Sequence, residues 1–238
     1  DWLKRRLILI GLRPISALVD ITNFITFDLG RPLHVYDADK INGNLMMRKA
    51  QQNEKCKTLD EKEHTLSNEM IVISDNNSLH GIGGIMGGTE SGCSLETKNV
   101  FLEVALFDPI SITKTGRKLN LQSDARYRFE RGVDSSSIEW GIDIVTQMIM
   151  SLCGGDASEV VTNKIKNKQL KTINYDTKLT RSRGGIDIDI KDQINILEKL
   201  GFVSKHLKDS NIEISIPTFR PDIEGSADIV EEIIRIYG

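Results

Sequence analysis

Four of the six residues from Gly83 to Gly88 are glycine, in the order Gly83-Gly84-Ile85-Met86-Gly87-Gly88, and nothing else in the chain limits its folding choices as much. Glycine inside regular structure costs roughly 0.5–1 kcal/mol per position relative to alanine, so so dense a run belongs where backbone turns tightly or approaches something that side chains would exclude. The run predicts either a plain tight hairpin or backbone that forms one wall of a site. Two familiar readings fail on spacing. A phosphate loop has the form G-x-x-x-x-G-K-[ST] and a dinucleotide loop G-x-G-x-x-G. Neither is present, and Glu90 follows where phosphate favours a base.

A chain of 238 residues has room for one large domain, or a large and a small one, without staples. Its three cysteines, Cys56, Cys93 and Cys153, are far apart and form no C-x-x-C pair, which points away from a disulfide framework or a zinc site and towards a reducing, cytoplasmic setting. The net charge of −3 leaves room only for local contacts with nucleic acid. No run of about 18 apolar residues suggests a membrane partner. The opening Asp1-Trp2-Leu3-Lys4-Arg5-Arg6 reads like the inside of an amphipathic element and the end, Ile236-Tyr237-Gly238, like a helix terminus, so a piece of a longer polypeptide is expected.

Apolar spacing from Pro14 through Ile15, Leu18, Val19, Ile25 and Leu29 predicts a helix of about four turns stopped at Gly30. Short apolar runs at 45–47, 70–73 and 100–104 predict strands of a mixed sheet. A helix follows from Asp134, with Ile138, Ile142, Val145, Ile149 and Leu152 on one face, Ser135 or Ser136 as its cap and Gly154-Gly155 as its stop. The lysine-rich segment 162–173 reads as a linker. Beyond it, Asp189 caps a helix carrying Ile190, Ile194, Leu197 and Leu200, Ile212, Ile214 and Ile216 alternate as a strand, and Ser226 opens a terminal helix. The fold class is therefore α+β: a mixed-sheet domain over residues 1–165, then a small α+β domain over 166–238. The segment 170–238 holds ten Lys and Arg against twelve Asp and Glu, a poor balance for binding duplex DNA.

Three places carry ionisable groups worth weighing. Glu103 lies in the strand-like run Val-Phe-Leu-Glu-Val-Ala, either turned inward, where a carboxylate needs a partner or a function, or on an edge strand facing water. His34, in Gly-Arg-Pro-Leu-His-Val-Tyr-Asp, is either a local hydrogen-bonding residue or part of a site, and no Ser/His/Asp or Cys/His set accompanies it. The run from Ser123 to Asp134 mixes three arginines with aromatics, the pattern of either an ion-paired connector or an RNA-contacting strip.

Taken in order, N-F-I-T-F-D-L-G-R-P-L-H-V-Y-D-A-D-K-I from Asn23, the G-G-I-M-G-G-T-E-S-G run, F-L-E-V-A-L-F-D-P and S-D-A-R-Y-R-F-E-R-G-V-D resemble bacterial phenylalanine–tRNA ligase beta subunits. Over residues 1–165 the resemblance is to the central editing module. Over 166–238, through L-G-F and P-T-F-R-P-D-I, it is to the helix-turn-helix-like module that follows. It implies hydrolysis of tyrosine wrongly esterified to tRNA(Phe), with His34, Gly87, Glu103, Ser123 and Ala125 at the editing-pocket positions. Ser123 stands where the family often has threonine. His34 would position a water or the terminal ribose, while Gly87, Glu103, Ser123 and Ala125 would bind the amino acid.

The resemblance implies no cofactor or metal for this segment, ATP and Mg2+ for the whole ligase, the tRNA(Phe) acceptor end and tyrosine as ligands, and an alpha subunit in an assembly of two alpha and two beta chains. It gives no reason to expect DNA as a partner. Tyrosine differs from phenylalanine by one hydroxyl, and a site built around a hydrogen bond to that group rejects the analogue lacking it. Glu103 would accept the phenol proton, and with phenylalanine bound it would be left unpaired. The competing expectation is a tRNA-docking or subunit-assembly module without hydrolytic activity of its own.

Overall fold

Helix α1 (Trp2–Leu9) turns Leu3 and Leu7 inward, and α2 (Ala17–Asp28) crosses beside it with Ile21 and Ile25 fully buried. Helix α2 starts later than proline spacing implied. Ser16 accepts a hydrogen bond from Val19 N, and the buried Asp20 carboxylate accepts one from Ile15 N at 2.8 Å, so Pro14 and Ile15 stay outside and three turns form rather than four. Thr22 and Thr26 sit within the buried face because their hydroxyls donate to the carbonyls of Val19 and Thr22 at 2.8 Å.

Strand β1 (His34–Asp37) follows, then β2 (Met46–Lys49), β3 (Lys55–Lys57), β4 (Glu63–Thr65), β5 (Ile71–Ser74), β6 (Leu79–Ile82), β7 (Met86–Gly87) and β8 (Val100–Glu103). They form a four-stranded sheet in the order β2-β5-β6-β7 and the two-stranded ladders β1-β8 and β3-β4. Every ladder among the described residues is antiparallel, where a mixed sheet was expected; β3–β4, β5–β6 and β6–β7 join through turns too short for a parallel crossover. Helices α3 (Pro109–Leu119), α4 (Asp124–Phe129) and α5 (Ser137–Cys153) complete the first unit.

The α+β class stands. The computed structural model describes residues 1–163 and 170–238, so part of the linker expected at 162–173 lies outside the described residues. The chain divides into two compact units, Asp1–Glu159 and Val160–Gly238. The first has two apolar clusters. One joins α1, α2 and α5 through Leu7, Ile21, Ile25 and Val145, and the other joins the sheet to α3 and α4 through Val72, Ile82, Phe107, Ile112 and Phe129.

In the second unit β9 (Thr172–Asp176), β10 (Val203–Lys208) and β11 (Asn211–Ser215) form a sheet in the order β10-β11-β9, with α6 (Lys178–Gly184), α7 (Ile190–Lys199) and α8 (Ser226–Tyr237). The expected cap of α7 is a cap by position only, since the Asp189 side chain accepts no hydrogen bond from the helix. Helix α8 is capped in reverse: Asp228 accepts from the backbone N–H groups of Glu224 and Gly225 at 2.8 Å each. Buried polar groups are satisfied inside this unit. Thr180 donates to Gln193 Oε1 at 2.7 Å and meets the Tyr175 hydroxyl at 2.6 Å, while Gln193 Nε2 donates to Thr177 O and Ile188 O. Thr180→Val leaves Tyr175 and Gln193 each short of a partner, and urea unfolding is expected to show a loss on the order of 1–3 kcal/mol.

Candidate functional site

Strands β1 and β8 pair with His34 opposite Glu103 and Tyr36 opposite Phe101. Alternate residues share a face, so His34, Tyr36, Phe101 and Glu103 stand on one side of the ladder. Tyr36 and Glu103 are diagonal neighbours, a separation that a long aromatic side chain spans. The Tyr36 hydroxyl donates a short hydrogen bond to Glu103 Oε2. The imidazole of His34 packs edge-on against the Tyr36 ring, 4.4 Å between centroids.

This face borders a cavity of about 90 Å³. His34, Tyr36 and Glu103 are its titratable lining among the described residues; the rest is apolar or glycine, including Ile73, Ala105, Phe107, Ala125 and Phe129. Glu103 therefore faces a pocket, and the edge-strand-in-water reading does not hold. Among the described residues, no serine, threonine, cysteine or lysine lines it.

The electrostatics are those of a dry site. Burial raises the Glu103 carboxyl above its usual range, opposed by the Tyr36 hydrogen bond and the charge of Arg31. Burial likewise raises the Tyr36 phenol, with the Glu103 charge and hydrogen bond adding to the rise. Desolvation lowers His34 to about 4, so its ring is neutral near pH 7. Arg31 is 0% exposed and donates through Nη2 to Ala105 O at 2.5 Å, while Nε and Nη1 have no hydrogen-bond partner among the described residues. Burial lowers its pKa to about 10, and Glu103 and Asp134 pull it back up.

The glycine run divides its labour. A methyl on Gly83 would stand 2.8 Å from Phe107 Cε1, and one on Gly84, where φ is +69°, 2.7 Å from Phe107 Cδ2 and 2.8 Å from Ile112 Cδ1. These two seat the β6–β7 turn on the core. Gly88 lies against the backbone of His80 on the neighbouring strand. Gly87 alone of the four faces His34, whose Nε2 would be 2.7 Å from an added methyl. Gly83, Gly84 and Gly87 all line the cavity, and at Gly83 and Gly84 the room a side chain would need is taken by Phe107 and its neighbours.

Ala125 lines the cavity from the first turn of α4. Ser123, expected beside it, does not reach the lining. Its hydroxyl donates to Ile85 O at 2.6 Å and accepts from Arg126 N at 3.0 Å, capping α4 and tying it to the glycine-rich turn. The arginines after it are held by their own chain. Arg126 is buried against Gly116 and paired with Glu130 at 3.1 Å, Arg128 lies over Phe27 at 4.6 Å, and Arg131 lies over Tyr127 at 3.8 Å. That geometry favours the connector reading of the strip.

Sequence reasoning passed over Tyr36 and Arg31. The alternation His-Val-Tyr-Asp carried a signal for Tyr36, since period 2 places it on the face of His34. Arg31, between Gly30 and Pro32, reads as a solvated loop residue and carried none.

Two measurements follow from this geometry. Gly84→Ala combines left-handed backbone, about 1–2 kcal/mol, with overpacking of about 1–3 kcal/mol, whereas Gly87→Ala displaces only a ring that can rotate, so urea unfolding is expected to show a much larger loss for the former. For His34, the unfolded chain binds more protons than the folded one between about pH 6.5 and about 4. The stability contributed by the neutral ring is complete above that window and is lost as pH falls through it. The fall in unfolding free energy from pH 7 to 4.5 should be smaller in His34→Gln than in the native chain, by on the order of 2 kcal/mol.

Residues 1–154 match the family model of the B3/4 domain, and residues 173–238 that of the tRNA synthetase B5 domain. The chain is 45% identical over 237 residues to the phenylalanine–tRNA ligase beta subunit of Mesorhizobium japonicum and 46% identical over 237 residues to that of Wolbachia sp. subsp. Brugia malayi. Each alignment covers 100% of this chain but only 29% and 30% of the relative. A solved N-terminal fragment of the phenylalanyl-tRNA synthetase beta subunit from Pyrococcus horikoshii is 16% identical, with a TM-score of 0.42 over 93% of this chain and 65% of that one, a likeness too slight to inform the site. The chain belongs to the phenylalanine–tRNA ligase beta subunit family, of which it carries a B3/4 domain followed by a B5 domain.

Proposed function

We propose that the first unit removes tyrosine wrongly esterified to tRNA(Phe) by hydrolysing the aminoacyl ester, as one part of a ligase that joins phenylalanine to that tRNA with ATP and Mg2+. The whole enzyme on this reading acts in the cytoplasm as two alpha and two beta chains. One observation carries the proposal: an apolar, glycine-walled cavity has a single carboxylate in its lining, Glu103, with one oxygen held by Tyr36 and the other without a partner among the described residues. Such a site suits an aromatic ring that ends in a hydrogen-bond donor.

Discrimination then rests on a penalty as well as an attraction. A tyrosine phenol donates to Glu103, whereas phenylalanine covers the carboxylate and leaves it unsatisfied, at a cost on the order of 1–3 kcal/mol. Ala125 and Gly87 keep room for the ring. A dry cavity of about 150 Å³ takes up benzene, and this one holds about 90 Å³. Seating a phenol therefore requires a side chain of the wall to rotate, and the His34 ring over Gly87 is placed to do so.

Among the described residues the lining offers no serine, threonine, cysteine or lysine nucleophile, so on this reading the attacking group is water. Its oxygen adds to the ester carbonyl carbon, the bond to the ribose oxygen breaks, and the ribose oxygen leaves with a proton. His34, neutral near pH 7, orients that water or the ribose through a hydrogen bond, and the rate comes from positioning. No metal-ligand cluster is found among the described residues.

The test is release of amino acid from tyrosyl-tRNA(Phe) and phenylalanyl-tRNA(Phe), with the native protein and with Glu103→Ala. The native protein should clear tyrosine and spare phenylalanine, and the variant should lose roughly tenfold to a hundredfold of that preference. Native preference in the variant would overturn the assignment. Binding of tRNA without release would favour the docking module.

A further inference from the structure

We infer that Tyr36, backed by Arg31, is a positioning residue that holds Glu103 with one carboxylate oxygen turned to the cavity, and thereby sets the preference for tyrosyl over phenylalanyl groups. The inference rests on the hydrolytic reading proposed above and adds two residues to it.

A carboxylate at the end of a four-residue strand has rotamer freedom, and a hydrogen-bond acceptor that wanders discriminates poorly. Here one side is pinned. Tyr36 is 2% exposed, its ring is wedged between His34 at 4.4 Å and His80 at 6.3 Å, and its hydroxyl donates to Oε2. A buried phenol has few choices of partner, so the bond fixes both groups. Oε1 takes no hydrogen bond from the described residues and is not among the polar atoms sealed from solvent. An ionised carboxylate has about four acceptor sites, which leaves Oε1 to receive a second phenol, that of the ligand.

Arg31 supplies the charge. It is fully buried, anchored on Ala105 O two residues beyond Glu103, and keeps two nitrogens without partners among the described residues. Its neighbours Pro32, Leu33 and His34 line the cavity. The charged and titratable groups around Glu103 are Arg31, His34 and Tyr36, with Asp134 acting on Arg31 from the segment before α5. Burial drives Glu103 towards its protonated form, and the Tyr36 hydrogen bond and the Arg31 charge oppose this in that order. A protonated carboxyl would itself be a donor and would pair with phenylalanine's competitor less selectively. The clamp keeps the acceptor an acceptor.

Tyr36→Phe removes one oxygen atom and keeps the ring, so it separates the clamp from the fold. The experiment uses the protein at its full natural length and measures kcat and KM for tyrosyl-tRNA(Phe) against pH, alongside phenylalanyl-tRNA(Phe). The expected result is a tyrosine preference lowered about tenfold, with the loss in KM, and the acid limb of the tyrosine profile moved to higher pH. Carbon-13 NMR titration of the Glu103 carboxyl, without tRNA, should show its midpoint rising in Tyr36→Phe and in Arg31→Met. An unchanged midpoint in Tyr36→Phe overturns the inference, as does a lower KM, which would make Tyr36 a competitor of the ligand rather than its guide. If the native protein shows no tyrosine preference while the NMR midpoint moves as expected, the hydrolytic reading fails and the selectivity role of the clamp falls with it.

Discussion

A carboxylate taken out of water must be met by donors or by an opposite charge, and the cavity of the first unit is organised around satisfying that demand for Glu103. The β1–β8 ladder places Tyr36 diagonally across from it, and the buried Arg31 supplies positive charge from behind. Each of the three lowers the cost of burying the others. Arg31 without nearby negative charge would be an isolated buried cation, and the Tyr36 hydroxyl without Glu103 would be an unpaired donor.

This arrangement explains why the lining is otherwise apolar. With Glu103 half satisfied and His34 neutral, the pocket offers one strong acceptor and little else that can hold water. On the proposed reading, a ligand would be judged on shape by the glycine-walled side and on hydrogen-bonding ability by a single oxygen. The chain spans only about 30% of the length of the relatives it matches.

Much of the fold was legible in the sequence where periodicity was long. Helix α5 and the terminal helix α8 were read close to their observed bounds, and the alternating isoleucines of β11 were plain. The strands of two to four residues were not. Leu-His-Gly-Ile, which forms β6, hides a fully buried strand because His80 is paired with Asp75 at 2.8 Å and Gly81 faces the backbone of Met86 and Gly87. Helix α3 was missed for a related reason: it is rich in β-branched residues and contains Gly116, where Arg126 needs the space, although Asp108 and Pro109 marked its start. At the site, the structure brings Glu103, His34, Gly87 and Ala125 to one cavity and leaves Ser123 outside its lining. Tyr36 and Arg31 did not stand out because their importance lies in burial, and burial of a tyrosine or an arginine leaves no mark in composition.

The Ser123 hydroxyl has a different significance from the one its position suggested. It bonds α4, which carries Ala125, to the carbonyl of Ile85 in the facing turn, across 2.6 Å. That bond is a fixed-length strut between opposite sides of the cavity. Parting these backbone segments would break the strut and uncap the helix together, so one hydroxyl outside the lining couples the width of the cavity to the start of α4.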